Sequence, residues 1–280
     1  LKNIIKFTLC FSLLIFLGVG GIGCSTKPKG DPLEVIKNYY ENVKNNKSDE
    51  SYELLVNENK AQFEKDDFIK LHNLKMQSAP LKETKIEKTN EYKDKDINGT
   101  KYKNVVEFNV TETLHDAYDD KDVNNQYKRY VVSEDGNWKL CSSDEKTDIK
   151  EDIAKEMARV SGMYIDGRGQ TKDLNKAASI LTEAVSIKPE YAQTYYILGT
   201  TLSKLGRYDE SINNIQEFLN KTNDDKGKSD AYNVLGVDYE VKKDYSKAKE
   251  NYNKAIELDN NNQYAKTNLE RVNNLSKLGF

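Results

Sequence analysis

Histidine is almost missing from this chain. His72 and His115 are the only two among 280 residues, and neither sits in a metal-ligand spacing. Cysteine is nearly as scarce, with Cys10, Cys24 and Cys141. There is no phosphate loop, no H-E-x-x-H, no G-x-S-x-G and no cysteine cluster. These absences predict no catalytic residue, no metal and no cofactor. The acidic stretch Asp116, Asp119, Asp120, Asp122 lacks the glycine and terminal Glu of a calcium loop and reads as a solvated turn. Positive charge is not in excess either: 43 basic residues face 46 acidic ones, which argues against a nucleic-acid partner. Four prolines and fifteen glycines exclude a collagen-like or low-complexity chain, and 10% aromatics argue against wholesale disorder.

Long apolar runs are also lacking, with one exception at the start. Lys2 and Lys6 precede an apolar stretch over 7–22, which ends at Gly23-Cys24. A charged start, a short apolar core and a small-residue exit describe a secretory signal over 1–23. The run is shorter than the ~20 residues a membrane-spanning helix needs. Gly23-Cys24-Ser25 resembles the lipobox of bacterial lipoproteins, although Gly21 stands where that family usually has Leu. The resemblance implies a diacylglycerol and palmitate-type acylation on Cys24, which becomes the new N-terminus. It further implies anchoring at the extracytoplasmic face of the cell membrane. Two acyl chains suffice for stable anchoring. An ordinary cleaved signal with an incidental Cys is the alternative. After cleavage and lipidation only Cys141 remains as a thiol, so no internal disulfide can form. Losing Lys2 and Lys6 leaves 41 basic against 46 acidic residues, a net charge of −5. An acidic body gains nothing from anionic lipid, so the anchor must hold it.

The segment 24–31 reads as the lipidated Cys and a short tether. Two blocks follow, 32–142 and 149–280. In the first, Asp31-Pro32 predicts a helix start, with Asp31 as N-cap and Pro32 at the first helical position. Leu33, Ile36, Tyr40 and Val43 give that helix one apolar stripe. Ser48-Asp49 reads as a cap for a short helix, and Phe68, Leu71 and Leu74 mark another. The period then changes to two. Strands are predicted over 85–92, 102–113, 127–133 and 137–141, with a polar connection over 116–125. Asn98-Gly99 and Asp135-Gly136 are hairpin signals. Helices followed by an antiparallel meander predict an α+β domain. Their order, with the closing Gly136-Asn137-Trp138-Lys139-Leu140, resembles the nuclear transport factor 2-like fold. That resemblance implies a cone of curved sheet wrapped on a long N-terminal helix, open at one mouth.

The second block repeats. Gly162, Gly199 and Gly236 are spaced 37 and 37. Tyr195, Leu198, Gly199 and Leu202 map by 37 onto Tyr232, Leu235, Gly236 and Tyr239. Tyr208, Ser211, Ile215 and Phe218 map likewise onto Tyr245, Ala248, Tyr252 and Ala255. These sets resemble the helix pairs of tetratricopeptide repeats, whose period is ~34 residues. The three extra residues are assigned to a loop over 225–228. An earlier repeat uses Leu174, Ala177, Leu181 and Ala184 in its second helix. Its longer connection over 167–173 looks like that of the Sel-one-like relatives. A capping helix is expected over 263–278. The predicted architecture is therefore α+β followed by an all-α solenoid.

The resemblance implies a concave face, lined by the first helix of each repeat, that binds peptides. One phase of 37 pairs Gln193 with Asp230, Tyr196 with Asn233 and Thr200 with Val237, and Arg159 and Met163 extend the rows. The Lys/Asn/Arg set of the chaperone-binding clamp is not present in this face, which disfavours a peptide C-terminal carboxylate. Two functions follow. One is a non-enzymatic, protein-binding lipoprotein. The other is a small-molecule binder or weak enzyme that uses the mouth of the cone. A polar mouth holding His72 or His115 beside a carboxylate favours the second.

Overall fold

The protein's structure, a computed structural model, describes residues 28–141 and 148–277. The expected signal segment and Cys24 lie outside the described residues. Helix α1 (Pro32–Lys44) begins as the sequence predicts: the Leu33 N–H donates to Asp31 Oδ1 at 2.9 Å, with Pro32 in the first turn. Three further helices follow, α2 (Ser48–Glu53), α3 (Asn57–Lys60) and α4 (Lys65–Ser78). Ser48 proves to be the first residue of α2, not its cap.

Strands β1 (Leu81–Ile97), β2 (Thr100–Asp116), β3 (Lys121–Glu134) and β4 (Asn137–Cys141) form one antiparallel sheet in the order β1-β2-β3-β4. Asn98 and Gly99 carry φ of 54° and 89°, and Asp135 and Gly136 carry 49° and 76°. Positive φ at both central residues is what a tight two-residue hairpin turn needs. The expected polar connection over 116–125 is mostly strand. Asp116 pairs with Lys121, and the chain reverses within 117–120. No apolar alternation marks this stretch, because its ladder is held by polar side chains: Thr113 donates to Asn124 at 2.8 Å, and Lys82 to Asp122 at 2.8 Å.

The core of this block lies between α1, α4 and one sheet face. Ile36, Tyr40 and Phe68 meet Val106, Phe108, Val110, Val131 and Leu140. Each such side chain contributes roughly 1.5–3 kcal/mol through burial. On the opposite face Glu107 is also buried, beside an irregularity in β1 between Lys88 and Asn90. Burial alone would raise its pKa. Hydrogen bonds from Asn90 and Thr89, helped by Lys128, bring it down to about 2. The outer edge of β4 is covered: Val56 N–H donates to Leu140 O at 3.0 Å, and Lys29 N–H to Gly136 O at 3.1 Å. Covering an edge blocks strand addition. It also makes Lys29 part of the folded body, although the sequence placed it in the tether.

Seven helices complete the described chain: α5 (Ile149–Asp166), α6 (Leu174–Ile187), α7 (Ala192–Lys204), α8 (Tyr208–Lys221), α9 (Asp225–Val241), α10 (Tyr245–Leu258) and α11 (Gln263–Lys277). They pack as successive antiparallel pairs, with α5, α7, α9 and α11 also touching in series. A Cβ on Gly199 would stand 2.7 Å from Ile215 Cδ1, and one on Gly236 would stand 2.3 Å from Tyr252 Cε1. Glycine is therefore the residue that lets each pair close. Gly162 differs: nothing lies within 4 Å of its added Cβ. The longer α5–α6 connection accompanies this looser approach. The residues assigned to an inserted loop over 225–228 instead form the first turn of α9. Asp224 caps that turn by accepting from the Lys226 and Gly227 N–H groups.

The two blocks share a core. Leu71 of α4 is buried with Ile153, Ala154 and Met157 of α5 and Ala184 of α6. Polar contacts surround this seam: Gln77 donates to Tyr164 at 3.3 Å, Ser78 to Glu156, and Arg159 pairs with Asp116 at 2.8 Å. The β2–β3 turn docks on the α5–α6 connection. Tyr118 donates to Asp166 at 2.6 Å, and the Arg168 guanidinium lies 4.3 Å from the Tyr118 ring centre. Gly169 has φ +70° and would place a Cβ 2.3 Å from Ala117 O, so no other residue fits there without displacement.

Candidate functional site

The inner face of the repeats is built from α7 and α9, whose apolar stripes point the other way. Tyr195, Leu198 and Leu202 of α7 and Ala231 and Leu235 of α9 are buried. The residues between them are thereby turned outward. Gln193 is exposed, and Tyr196, Thr200, Asp230, Asn233 and Val237 are half-buried. Three of these are already engaged within the array: Thr200 donates to Ile197 O at 2.9 Å, Asn233 Oδ1 accepts from Asn268 at 2.9 Å, and Asp230 Oδ1 accepts from Asn262 at 3.3 Å. Helix α11 continues the face. Tyr264 stands 34 residues beyond Asp230 and is 78% exposed. A register of 37 passes over Tyr264, whereas the ~34-residue tetratricopeptide period finds it.

Arg159 and Met163, placed at the start of the same rows, lie elsewhere. Met163 is fully buried. Arg159 is turned toward the sheet and held by Asp116. The reason is the neighbouring block, which packs against α5 and covers what the repeat pattern leaves open.

Gln193, Tyr196 and Asp230 come together in a cleft of about 520 Å³ where the start of α7, the end of α8 and the start of α9 meet. Phe218 stacks obliquely on Tyr196, ring centres 5.1 Å apart, and Lys226 lines the same cleft. Burial pushes the Asp230 carboxyl above the usual carboxylate range; Lys226 pulls it back, and Asp259 and Asp224 push it further. Burial, with Asp230 nearby, also raises the Tyr196 hydroxyl.

A second cavity, of about 560 Å³, opens between α1, α4, the sheet and α5. Its walls include Tyr39, Tyr40, His72, Glu112, Arg129 and Glu156. His72 Nδ1 lies 3.0 Å from Phe68 O and Nε2 lies 3.2 Å from the Tyr39 hydroxyl. A carbonyl can only accept, so Nδ1 carries the proton and Nε2 accepts from Tyr39. Burial pulls the His72 pKa down to about 4, which keeps the ring neutral. No carboxylate bonds it. His115 does pair with carboxylates, Asp122 at 3.0 Å and Asp120 at 3.5 Å, but it does so beside the β2–β3 turn and is not among the residues that line the cavity. Cys141 is buried, and burial raises its thiol to about 11, well above a reactive range. Among the described residues no group of three or more His, Cys, Asp or Glu could hold a metal ion.

Comparison with known proteins bears on the repeats. Residues 192–220 and 229–262 each match the tetratricopeptide repeat family. The two matches begin 37 residues apart, in the register read from the sequence. No curated protein matches the chain. Solved structures similar to it include MamA, 23% identical over 45% of this chain and 69% of that chain, with a TM-score of 0.40. The Sgt2 tetratricopeptide domain from Aspergillus fumigatus is 21% identical over 44% of this chain and 79% of its own, with a TM-score of 0.40. The first such domain of Spaghetti, bound to an HSP90 peptide, is 15% identical over 44% and 93%, with a TM-score of 0.40.

Proposed function

We propose that this protein is a non-enzymatic adaptor, a bacterial envelope lipoprotein that docks another protein on the inner face of its tetratricopeptide repeats. The observation that carries the reading is the outward row on α7, α9 and α11. Gln193 and Tyr264 are exposed, and the half-buried Tyr196 and Asp230, one tilted against Phe218 and the other accepting from Asn262, keep part of their surface on the same row. Lipid on Cys24 places the array at the extracytoplasmic face of the cell membrane, and the nuclear transport factor 2-like reading of the N-terminal block makes that block the membrane-proximal support. In this reading no step of chemistry is assigned to either block. The cavity beside α5 supports a second reading, in which a small molecule occupies the mouth and the repeats act as a spacer.

The test uses the full chain. Tyr196→Ala with Asn233→Ala is expected to reduce cross-linked capture of the native partner from membranes, with the helical circular dichroism unchanged. Unchanged capture moves the binding surface elsewhere and turns attention to the cavity. Separately, Cys24→Ala is expected to abolish incorporation of a fatty-acid analogue; continued labelling sinks the lipoprotein assignment.

A further inference from the structure

The cleft at the α7–α8–α9 junction has an unbalanced charge pattern that narrows the chemistry of its occupant. Asp230 has a single hydrogen bond, accepted from Asn262 Nδ2 at 3.3 Å. No cation pairs with it among the described residues. Four other carboxylates of the array do have a cation: Glu240 with Arg271 at 2.7 Å, Glu210 with Arg207 at 2.5 Å, Glu250 with Lys254 at 2.7 Å, and Asp209 with Lys242. Asp230 feels Lys226, which favours its charge, and Asp259 and Asp224, which oppose it. Asp224 is held at its cap, and among the described residues Lys226 is the one cation lining the cleft and makes no ion pair. Beside this carboxylate lie the tilted rings of Tyr196 and Phe218, and neither the Tyr196 hydroxyl nor the Gln193 amide has a hydrogen-bond partner among the described residues. Gly227 lets Phe218 and Asp224 approach the start of α9, since a Cβ there would stand 3.2 Å from Phe218 Cζ and 2.9 Å from Asp224 Oδ2.

We propose that this cleft accepts a lysine or arginine side chain of the docked partner, its aliphatic stem on Tyr196, which the buried Phe218 backs, and its charge at Asp230. The inference rests on the adaptor reading and adds a partner class: a protein segment that presents a basic residue, not an acidic one. Three features converge on it. The partly exposed Tyr196 ring can attract a cation over its face. A half-buried carboxylate without a counter-ion makes a strong, charge-assisted hydrogen bond when one arrives. An excess of carboxylates over cations repels acidic segments and so supplies discrimination as well as affinity.

The experiment is an amide NMR titration of the full chain with N-acetyl-lysine methylamide, with the norleucine and glutamate analogues as controls. The lysine probe is expected to shift Gln193, Tyr196, Gly227 and Asp230 saturably, and to bind about tenfold more tightly than norleucine. Asp230→Asn is expected to erase that preference, and Lys226→Gln to strengthen lysine binding by removing a like charge from the rim. Equal binding of lysine and norleucine overturns the proposal, as do an unchanged preference in Asp230→Asn and an absence of shifts up to roughly tens of millimolar probe. If the probe fails while Tyr196→Ala with Asn233→Ala still abolishes partner capture, the adaptor reading stands and the basic subsite falls.

Discussion

Three glycines at one repeat phase have three different surroundings. Tyr252 is fully buried, and its hydroxyl donates to Glu240 at 2.8 Å, so its ring cannot retreat from a Cβ at position 236. Ile215 can yield at its Cδ1 end. Gly162 faces open space. Gly236→Ala is therefore expected to destabilise the fold by ~1–3 kcal/mol through overpacking. Gly199→Ala should cost less, and Gly162→Ala should stabilise by ~0.5–1 kcal/mol through helix propensity. Urea unfolding of the three variants checks the order; equal effects would show that repeat phase, not local space, decides. His72 supports a pH prediction. Its folded pKa of about 4 lies below the ordinary 6.5. The unfolded chain takes up the proton first, so this contribution is complete above pH 6.5 and is lost as pH falls toward 4. At ~1.4 kcal/mol per pKa unit the loss is about 3 kcal/mol. Unfolding free energies measured across that window should fall, and His72→Gln should flatten the slope. Asp238 runs the opposite way. It is fully buried, its Oδ2 is unpaired, and burial raises its pKa, so its contribution is fullest at low pH and is lost as pH rises through that raised value. Asp238→Asn is expected to raise the thermal midpoint at neutral pH; a lower midpoint would show that the charge is satisfied.

At the scale of elements, local chemistry was legible where it is local. Asn98-Gly99 and Asp135-Gly136 specify their hairpins, Asp31-Pro32 specifies α1, and the 37-residue period specifies the helix pairs, because turn, cap and stripe each act within a few residues. What stayed hidden depends on distant neighbours. The strand ends around Asp116 and Lys121 have no apolar alternation to show. The extra turn of α9 follows from the Asp224 cap, which a loop reading passes over. The repeat register placed Gln193, Tyr196, Thr200, Asp230, Asn233 and Val237 together on α7 and α9 and passed over Tyr264 of α11. Arg159 and Met163 were misplaced because nothing in a repeat pattern reports that another block will pack on α5. The docking of the β2–β3 turn on the α5–α6 connection is an element-scale contact that can be tested. Gly169→Ala combines a positive φ with a backbone collision, at a cost of roughly 2 kcal/mol. Amide hydrogen exchange should then quicken over 117–120 and 167–173. Unchanged protection would mean that the turn does not depend on this contact.

For the whole molecule, the shared cluster around Leu71, Ile153 and Met157 makes α4 the outer cover of the first repeat. A solenoid needs its terminal apolar face covered, and here a neighbouring block does at one end what α11 does at the other. Unfolding is expected to be one transition. Trp138, the only tryptophan, reports on the sheet, while helical circular dichroism reports mainly on the repeats. Coincident midpoints by the two probes support coupling; separated midpoints would show two independent bodies.

The covered edge of β4 has a mechanical consequence. Lys29 is pinned to the hairpin at Gly136, and the recognition face sits beyond the α4–α5 seam. A tug on that face and its reaction at Lys29 therefore act across the packed α4–α5 seam. That seam is the fuse: under load it should part before the four-stranded sheet does, so single-molecule stretching should record the release of the repeats as the first rupture.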